Sequence, residues 1–452
     1  MSRIIGACAA VAAIALSPFP AHADKSLTLE TRLGQSVMKT GETQRNFLRV
    51  AVGGCERQKT NRTPVNVAFV IDRSGSMAGM RIAQAREAAI MAVKRLNGDD
   101  IASVVAFDNQ IETLVHAQKV TGQEAFIDRI QRVSARGSTA IYGGVTQGAS
   151  EVRTHKDNRR LNRVVLLSDG RANVGPSNAE AFEALGRNLL AEGISVSTIG
   201  LGLGYNEDLM LKLARASDGN HAFAADAAAL IPIFNREFND VLSSCAQMVS
   251  IEVEMKPGIR VVRALSRDGT VEGQHATFRM NQVYQATEHY VLLEVEIDKS
   301  VTEAETDGDR ELGRVRVAYA APTDGARHSL DSAIKGAFST SEDAARKSRD
   351  MRVMEAVVEQ TTRERTLKAI ALRDQGKLKE AQALFQQNVV DISGYTAIAA
   401  KPSARLELLA KEYGAIAAEP TVAPAQAAAE WGRQRKMLRE LDKAAAGSSV
   451  RY

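Results

Sequence analysis

No long block of like charge interrupts these 452 residues. The 58 basic side chains face 54 acidic ones, a formal net charge of +4, whereas a nucleic-acid binder needs a concentrated basic face to engage phosphates. Past the N-terminus no run reaches the roughly 18 apolar residues that a transmembrane helix requires. The seven histidines are scattered, with no His-Glu-x-x-His and no pairing at helical spacing, which argues against a zinc hydrolase. A Gly-x-Ser-x-Gly elbow is missing and no histidine is tied to Ser74 or Ser76, which argues against a serine nucleophile. Gly200-Leu-Gly-Leu-Gly204 lacks the dinucleotide spacing and any P-loop lysine, so it reads as a turn. Asp307-Gly-Asp309 is too short for an EF-hand loop.

Cysteine is scarce as well, and its placement is informative. Arg3, the apolar stretch Ile4 to Leu16 and the small residues of Ala21-His22-Ala23 read as a secretory signal peptide over 1–23, cleaved before Asp24. Export to the periplasm follows, with the cell surface as the other destination. Cys8 falls inside the apolar stretch and leaves with it. Cys55 and Cys245 remain, an even count in an oxidising compartment, which suggests one disulfide clamping the two ends of the segment between them. Two unpaired thiols are the alternative.

The rest divides by periodicity. Residues 24–62 hold two strand candidates, Ser26 to Leu29 and Phe47 to Val52. From 63 to 245 strands alternate with amphipathic helices, which predicts a doubly wound, mostly parallel α/β sheet. Val65 to Ile71 is its near-continuous apolar central strand. Ile111 to Val120 follows Phe107 too closely for a parallel crossover and should pair antiparallel, and Ala227 to Ser244 reads as the closing helix. Residues 246–325 return to a period of two, an all-β, sandwich-like module that shares the strands before residue 60. Residues 326–415 read as helical, with helices from Glu342 onward and a hairpin turning at Gly376. That hairpin resembles one tetratricopeptide unit, but a lone unit cannot bury a core and should pack on its own protein. A linker around Glu419 to Pro424 and a charged helix holding Trp431 complete 416–452.

The strongest chemical signal is Asp72-Arg-Ser74-Gly-Ser76, directly after the central strand. One carboxylate and two hydroxyls at alternate positions of a tight loop converge on a point, and all three are hard oxygen donors that suit Mg²⁺ or Mn²⁺. Thr139, in the loop before a helix, and Asp169, closing the strand Val164 to Ser168, reach the same carboxyl edge, where open α/β sheets bind ligands. Five such oxygens leave at least one octahedral position for water or a partner. Serving only as helix caps is the competing use of the two aspartates.

In this pattern the segment 63–245 resembles the von Willebrand factor type A domain, and Asp72, Ser74, Ser76, Thr139 and Asp169 match its metal-ion-dependent adhesion site. The resemblance implies that the serines and the threonine contact the metal, with the aspartates bound directly or through water. It also implies a protein ligand whose Asp or Glu carboxylate completes the Mg²⁺ shell, Mn²⁺ or Ca²⁺ being other occupants. The flanking parts resemble bacterial exported proteins in which such a domain sits in a β-module followed by helices. The expected function is metal-dependent protein recognition without catalysis. The rivals are a scaffold with a structural metal that binds through its helical tail, and a metal-assisted hydrolase, for which no general base is nominated.

Overall fold

The computed structural model describes residues 27–55, 63–169, 172–201, 206–224, 233, 243–303, 308–322, 324–399, 403–418, 431–432, 434–435, 437–438 and 449–451. The expected signal peptide, nearly all of the expected helix from Ala227, the expected turn at 202–204 and the expected linker near Glu419 lie outside these residues.

Strands β1 (Leu27–Leu33), β2 (Val37–Lys39) and β3 (Gln44–Gly54) precede the α/β unit. That unit comprises β4 (Val65–Asp72), α1 (Met80–Val93), β5 (Ile101–Phe107), β6 (Ile111–Lys119), α2 (Glu124–Gln131) and α3 (Ile141–Thr154), then β7 (Leu161–Ser168), α4 (Ala179–Ala191), β8 (Ile194–Leu201), α5 (Glu207–Ala216) and β9 (His221–Ala224). The strand order is β6-β5-β4-β7-β8-β9, parallel except for β6, which pairs antiparallel with β5.

Every residue of β4, β5, β7 and β8 is buried, because helices cover both faces of a parallel sheet. Alternation within β4 divides two cores. Val65, Val67, Phe69 and Ile71 pack with α1 and α2, while Ala68 and Val70 face α3, α4 and α5. From β4 the chain builds outward to β5 and β6, then returns to the other side of β4 as β7. The switch in direction lies between β4 and β7, where an open sheet parts its loops.

The second unit is a sandwich of two sheets. One runs β1-β3-β14-β11, with β17 (Ser449–Arg451) also on β14; the other runs β12-β13-β10-β15-β16-β2. The additional strands are β10 (Ser244–Met255), β11 (Ile259–Ala264), β12 (Gly269–Glu272), β13 (His275–Tyr284), β14 (Thr287–Ile297), β15 (Arg310–Ala320) and β16 (Arg327–Ser339). Their inner faces, including Leu48, Val50, Val52, Ile251, Phe278 and Val315, make one core. Cys55 and Cys245 are bridged across a sequence separation of 190 with their Cα atoms 5.8 Å apart, so a covalent clamp closes the β-module where the α/β unit is inserted.

Two expectations are corrected here. Arg327–Ser339 is a strand, not part of a helical region. It pairs antiparallel with β15 and parallel with β2, and nothing before Ile334 in it is fully buried, so it carries little hydrophobic pattern. Ser244 opens β10 rather than ending a helix.

Helices α6 (Glu342–Lys347), α7 (Met351–Asp374), α8 (Leu378–Thr396) and α9 (Ala404–Ala417) follow. Gly376 turns the hairpin between α7 and α8 at φ +79°, a left-handed conformation that glycine adopts without steric cost. Val353 and Ala356 of α7 lie on Ala51, Tyr290 and Leu292, the outer face of the first sheet. The hairpin therefore packs on its own protein. Among the described residues no helix is long and apolar enough to cross a membrane.

Candidate metal centre

Three loops meet at the carboxyl edge and are pinned to one another by their backbones. Arg73 N donates to the Phe107 carbonyl at 2.8 Å, Arg136 N to that of Arg73 at 2.6 Å, and Gly75 N to that of Gly137 at 3.0 Å. Gly137 has φ +69°, and a Cβ there would stand 2.3 Å from Asn109 Oδ1, so only glycine lets this loop close in. A buried carboxylate finishes the clamp: Asp108 Oδ2 accepts from Arg73 Nε at 3.0 Å and from Arg136 Nε at 2.8 Å. Burial alone would raise the Asp108 pKa, but the Gln110 N–H and the two guanidiniums outweigh it and hold the carboxyl below its usual range.

Inside this frame four of the five expected oxygens form one chain. Ser74 Oγ lies 3.0 Å from Ser76 Oγ, which donates to Asp169 Oδ1 at 2.8 Å. Asp72 Oδ1 accepts from Ser74 N at 2.8 Å, and its other oxygen accepts from the Ser168 hydroxyl. The fifth, Thr139, is buried beside them: Asn173 Oδ1 accepts from its N–H at 2.7 Å, and Asn173 N returns a bond to its carbonyl. Its hydroxyl has no hydrogen-bond partner among the described residues. Asp72, Ser74, Thr139 and Asp169 are buried, whereas Gly75 and Ser76 are open to solvent. The buried oxygens therefore lie beneath an exposed turn.

Burial, with a smaller push from the neighbouring Asp169 charge, raises the Asp72 pKa to about 6. Two carboxylates in one walled site create a demand for cationic charge. The donor spacing suits a small hard ion, because neighbouring ligands of an octahedron with metal–oxygen bonds of about 2.1 Å stand about 3.0 Å apart. Ser74, Ser76 and Asp169 already hold their oxygens at 3.0 and 2.8 Å.

Several participants are not evident in the sequence motif. Ser168 and Asn173 orient Asp72 and Thr139, and only their nearness to the motif hints at it. Arg81 is less expected: its Nη1 donates to Asp169 Oδ2 at 2.5 Å and to the Ser76 carbonyl at 3.0 Å.

A doubly wound sheet with hydroxyl and carboxylate oxygens gathered at its switch point defines the class. Over nearly the whole chain the fold matches a von Willebrand factor type A protein from Catenulispora acidiphila, with a TM-score of 0.70, 15% identity, and coverage of 94% of this chain and 97% of that one. The ArnB paralog VWA2 from Sulfolobus acidocaldarius gives a TM-score of 0.62 at 17% identity, covering 94% and 100%. In sequence, an uncharacterized protein from Synechocystis is 26% identical over 293 residues, 63% of this chain and 68% of its own length. Human inter-alpha-trypsin inhibitor heavy chain H3 is 31% identical over 170 residues, 36% of this chain, and this chain spans only 19% of that protein. Residues 66–236 match the family model of the von Willebrand factor type A domain. The chain carries a domain of that family.

Proposed function

We propose that this protein is an exported, non-enzymatic recognition module whose type A domain binds a partner through a divalent metal, Mg²⁺ in the first instance. The observation that carries this reading is the continuous chain Ser74–Ser76–Asp169, set beside Asp72 and reaching the surface at Ser76. Ser74, Ser76 and Thr139 supply neutral oxygens, and Asp72 and Asp169 supply charge. The metal, when bound, contributes a Lewis-acidic position for a carboxylate from the partner. The three loops hold the donors in place, and the exposed Gly75–Ser76 turn leaves room for an approaching side chain. The remaining components of the reading are sequence-based: export rests on residues 1–23, and the absence of catalysis rests on the lack of a nominated base or nucleophile.

The test is affinity capture from periplasmic extract with the purified protein in Mg²⁺, in EDTA, and as Asp169→Ala. A partner retained only by the unaltered protein in Mg²⁺ supports the reading and identifies the ligand. Partners retained equally in all three conditions refute it and move the interface to the helical tail.

A further inference from the structure

Arg81 occupies a position where a helix least favours a cation. It is the second residue of α1, whose first turn holds no acidic side chain and whose N-cap, Gly79, offers no side-chain acceptor. The N–H groups gathered at such a terminus carry partial positive charge. Helix formation therefore does not explain the residue, and its contacts do. Its guanidinium reaches in from a side chain that is 49% exposed to an Asp169 side chain that is 0% exposed, 2.5 Å away. It also takes the Ser76 carbonyl. Two of the expected metal-site residues are thus held by one internal cation.

Building on the metal reading above, we infer that Arg81 is an internal counter-cation that competes with the metal for Asp169. Two carboxylates can neutralise one divalent ion. Arg81 sits on Asp169 Oδ2 and Ser76 on Oδ1, and adding a divalent ion there would set three positive charges against two negative ones at contact distance, so each cation weakens the other's hold on Asp169. Metal entry loosens Arg81, whose half-exposed, flexible side chain can swing outward beside Met80, itself 71% exposed. There the guanidinium offers a planar fork that suits a carboxylate. The metal and an incoming acidic residue then cooperate: the metal frees the arginine, and the arginine adds a second grip on the anion.

Titration of Mn²⁺ and Mg²⁺ into the purified protein and into Arg81→Gln and Arg81→Lys, followed by calorimetry, reads this competition directly. Removing the competitor should tighten metal binding by about tenfold, the size of one charge-assisted contact partly open to solvent. The lysine variant should fall between, and added salt should shrink the difference. Circular dichroism verifies that the variants fold, as expected for a change at an exposed side chain. Equal or weaker metal affinity in Arg81→Gln, with the unaltered protein still binding metal, overturns the role of Arg81 and leaves the metal site standing. No saturable binding by either protein overturns both.

Discussion

The two edges of the type A sheet are built in opposite ways. At the amino edge buried polar side chains bond across to the β-module. Arg163, in the first turn of side chains of β7, is 1% exposed; it donates to Ser197 Oγ at 3.0 Å and to Gln282 Oε1 and Tyr284 OH at 2.7 Å each. Asn281 Nδ2 donates to Ser195 Oγ at 2.8 Å, and Asp218 accepts from Asn281 N and from Arg267. At the carboxyl edge the oxygens bond to one another, to their own loop and to the half-exposed Arg81, beneath the exposed Gly75–Ser76 turn. One edge fixes the domain on its support, and the other keeps unspent ligating capacity. The pairing shows how such a domain can be inserted into another fold: its attachment lies on the edge opposite its gathered oxygens.

The largest expected effect probes the attached edge. Arg163→Met removes the guanidinium while keeping a long side chain, and it strips a hydrogen-bond donor from Ser197, Gln282 and Tyr284. The expected loss is about 3 kcal/mol, read as a lower urea midpoint. Metal affinity measured by calorimetry on the folded variant should be unchanged. A matching fall in metal affinity would break the separation of the two edges, and a stability loss under about 1 kcal/mol would break the account of Arg163.

At the open edge the sign reverses. The Asp72 pKa is raised from 3.8 to about 6 by burial, so between these values the folded chain holds a proton that the unfolded chain has released. The stability tied to this group is fully present below 3.8 and is lost as pH rises through about 6, a loss of at most about 3 kcal/mol. Asn at this position retains an acceptor for Ser74 N and gains a donor for the Ser168 hydroxyl. In EDTA above pH 6, Asp72→Asn should therefore be the more stable protein by about 1–2 kcal/mol, with the gain vanishing below pH 4. Thermal denaturation across that range measures it. A variant destabilised at neutral pH in EDTA would mean that Asp72 is there to hold the loop rather than a cation.

How much of this was legible in sequence follows the same contrast. Fully buried parallel strands write themselves as apolar runs, so β4, β5, β7 and β8 can be read directly. Asp72, Ser74, Ser76, Thr139 and Asp169 stand out because short oxygen donors at fixed offsets follow those runs. Three features stay hidden for physical reasons. β16 buries only Ile334, Gly336 and Phe338 on its pleat, so edge pairing rather than hydrophobicity makes it a strand. Arg163 looks like an ordinary polar break in a strand, because Gln282 and Tyr284, the partners that the β-module supplies, lie more than a hundred positions later. Arg81 reads as a solvated helix residue, because its direction is set by Asp169 across the sheet rather than by local sequence.

The smallest effect concerns a link between the tail and the carboxyl edge. Arg435, 29% exposed, places Nη2 3.0 Å from Asp208 and Nε 3.3 Å from Glu207, both in the first turn of α5, and Nε 3.5 Å from Asp374 at the end of α7. Trp431 stands by it, donating to Asp374 Oδ1 at 2.8 Å with the Arg373 guanidinium 4.1 Å above its ring. Because α5 begins just after the carboxyl end of β8, this contact brings the end of the chain to the side of the sheet that carries the oxygens. A partly exposed ion pair contributes little, so Arg435→Ala should lower global stability by less than about 1 kcal/mol. Hydrogen exchange should nevertheless speed up locally around 431–438, since a tether of this kind governs local opening more than global unfolding. Metal affinity is the discriminating readout. If it is unchanged, the open edge works independently of the tail as it does of the amino edge; if it shifts together with the exchange rates, the tail holds the loops of the metal site and the two-edge division needs a third member.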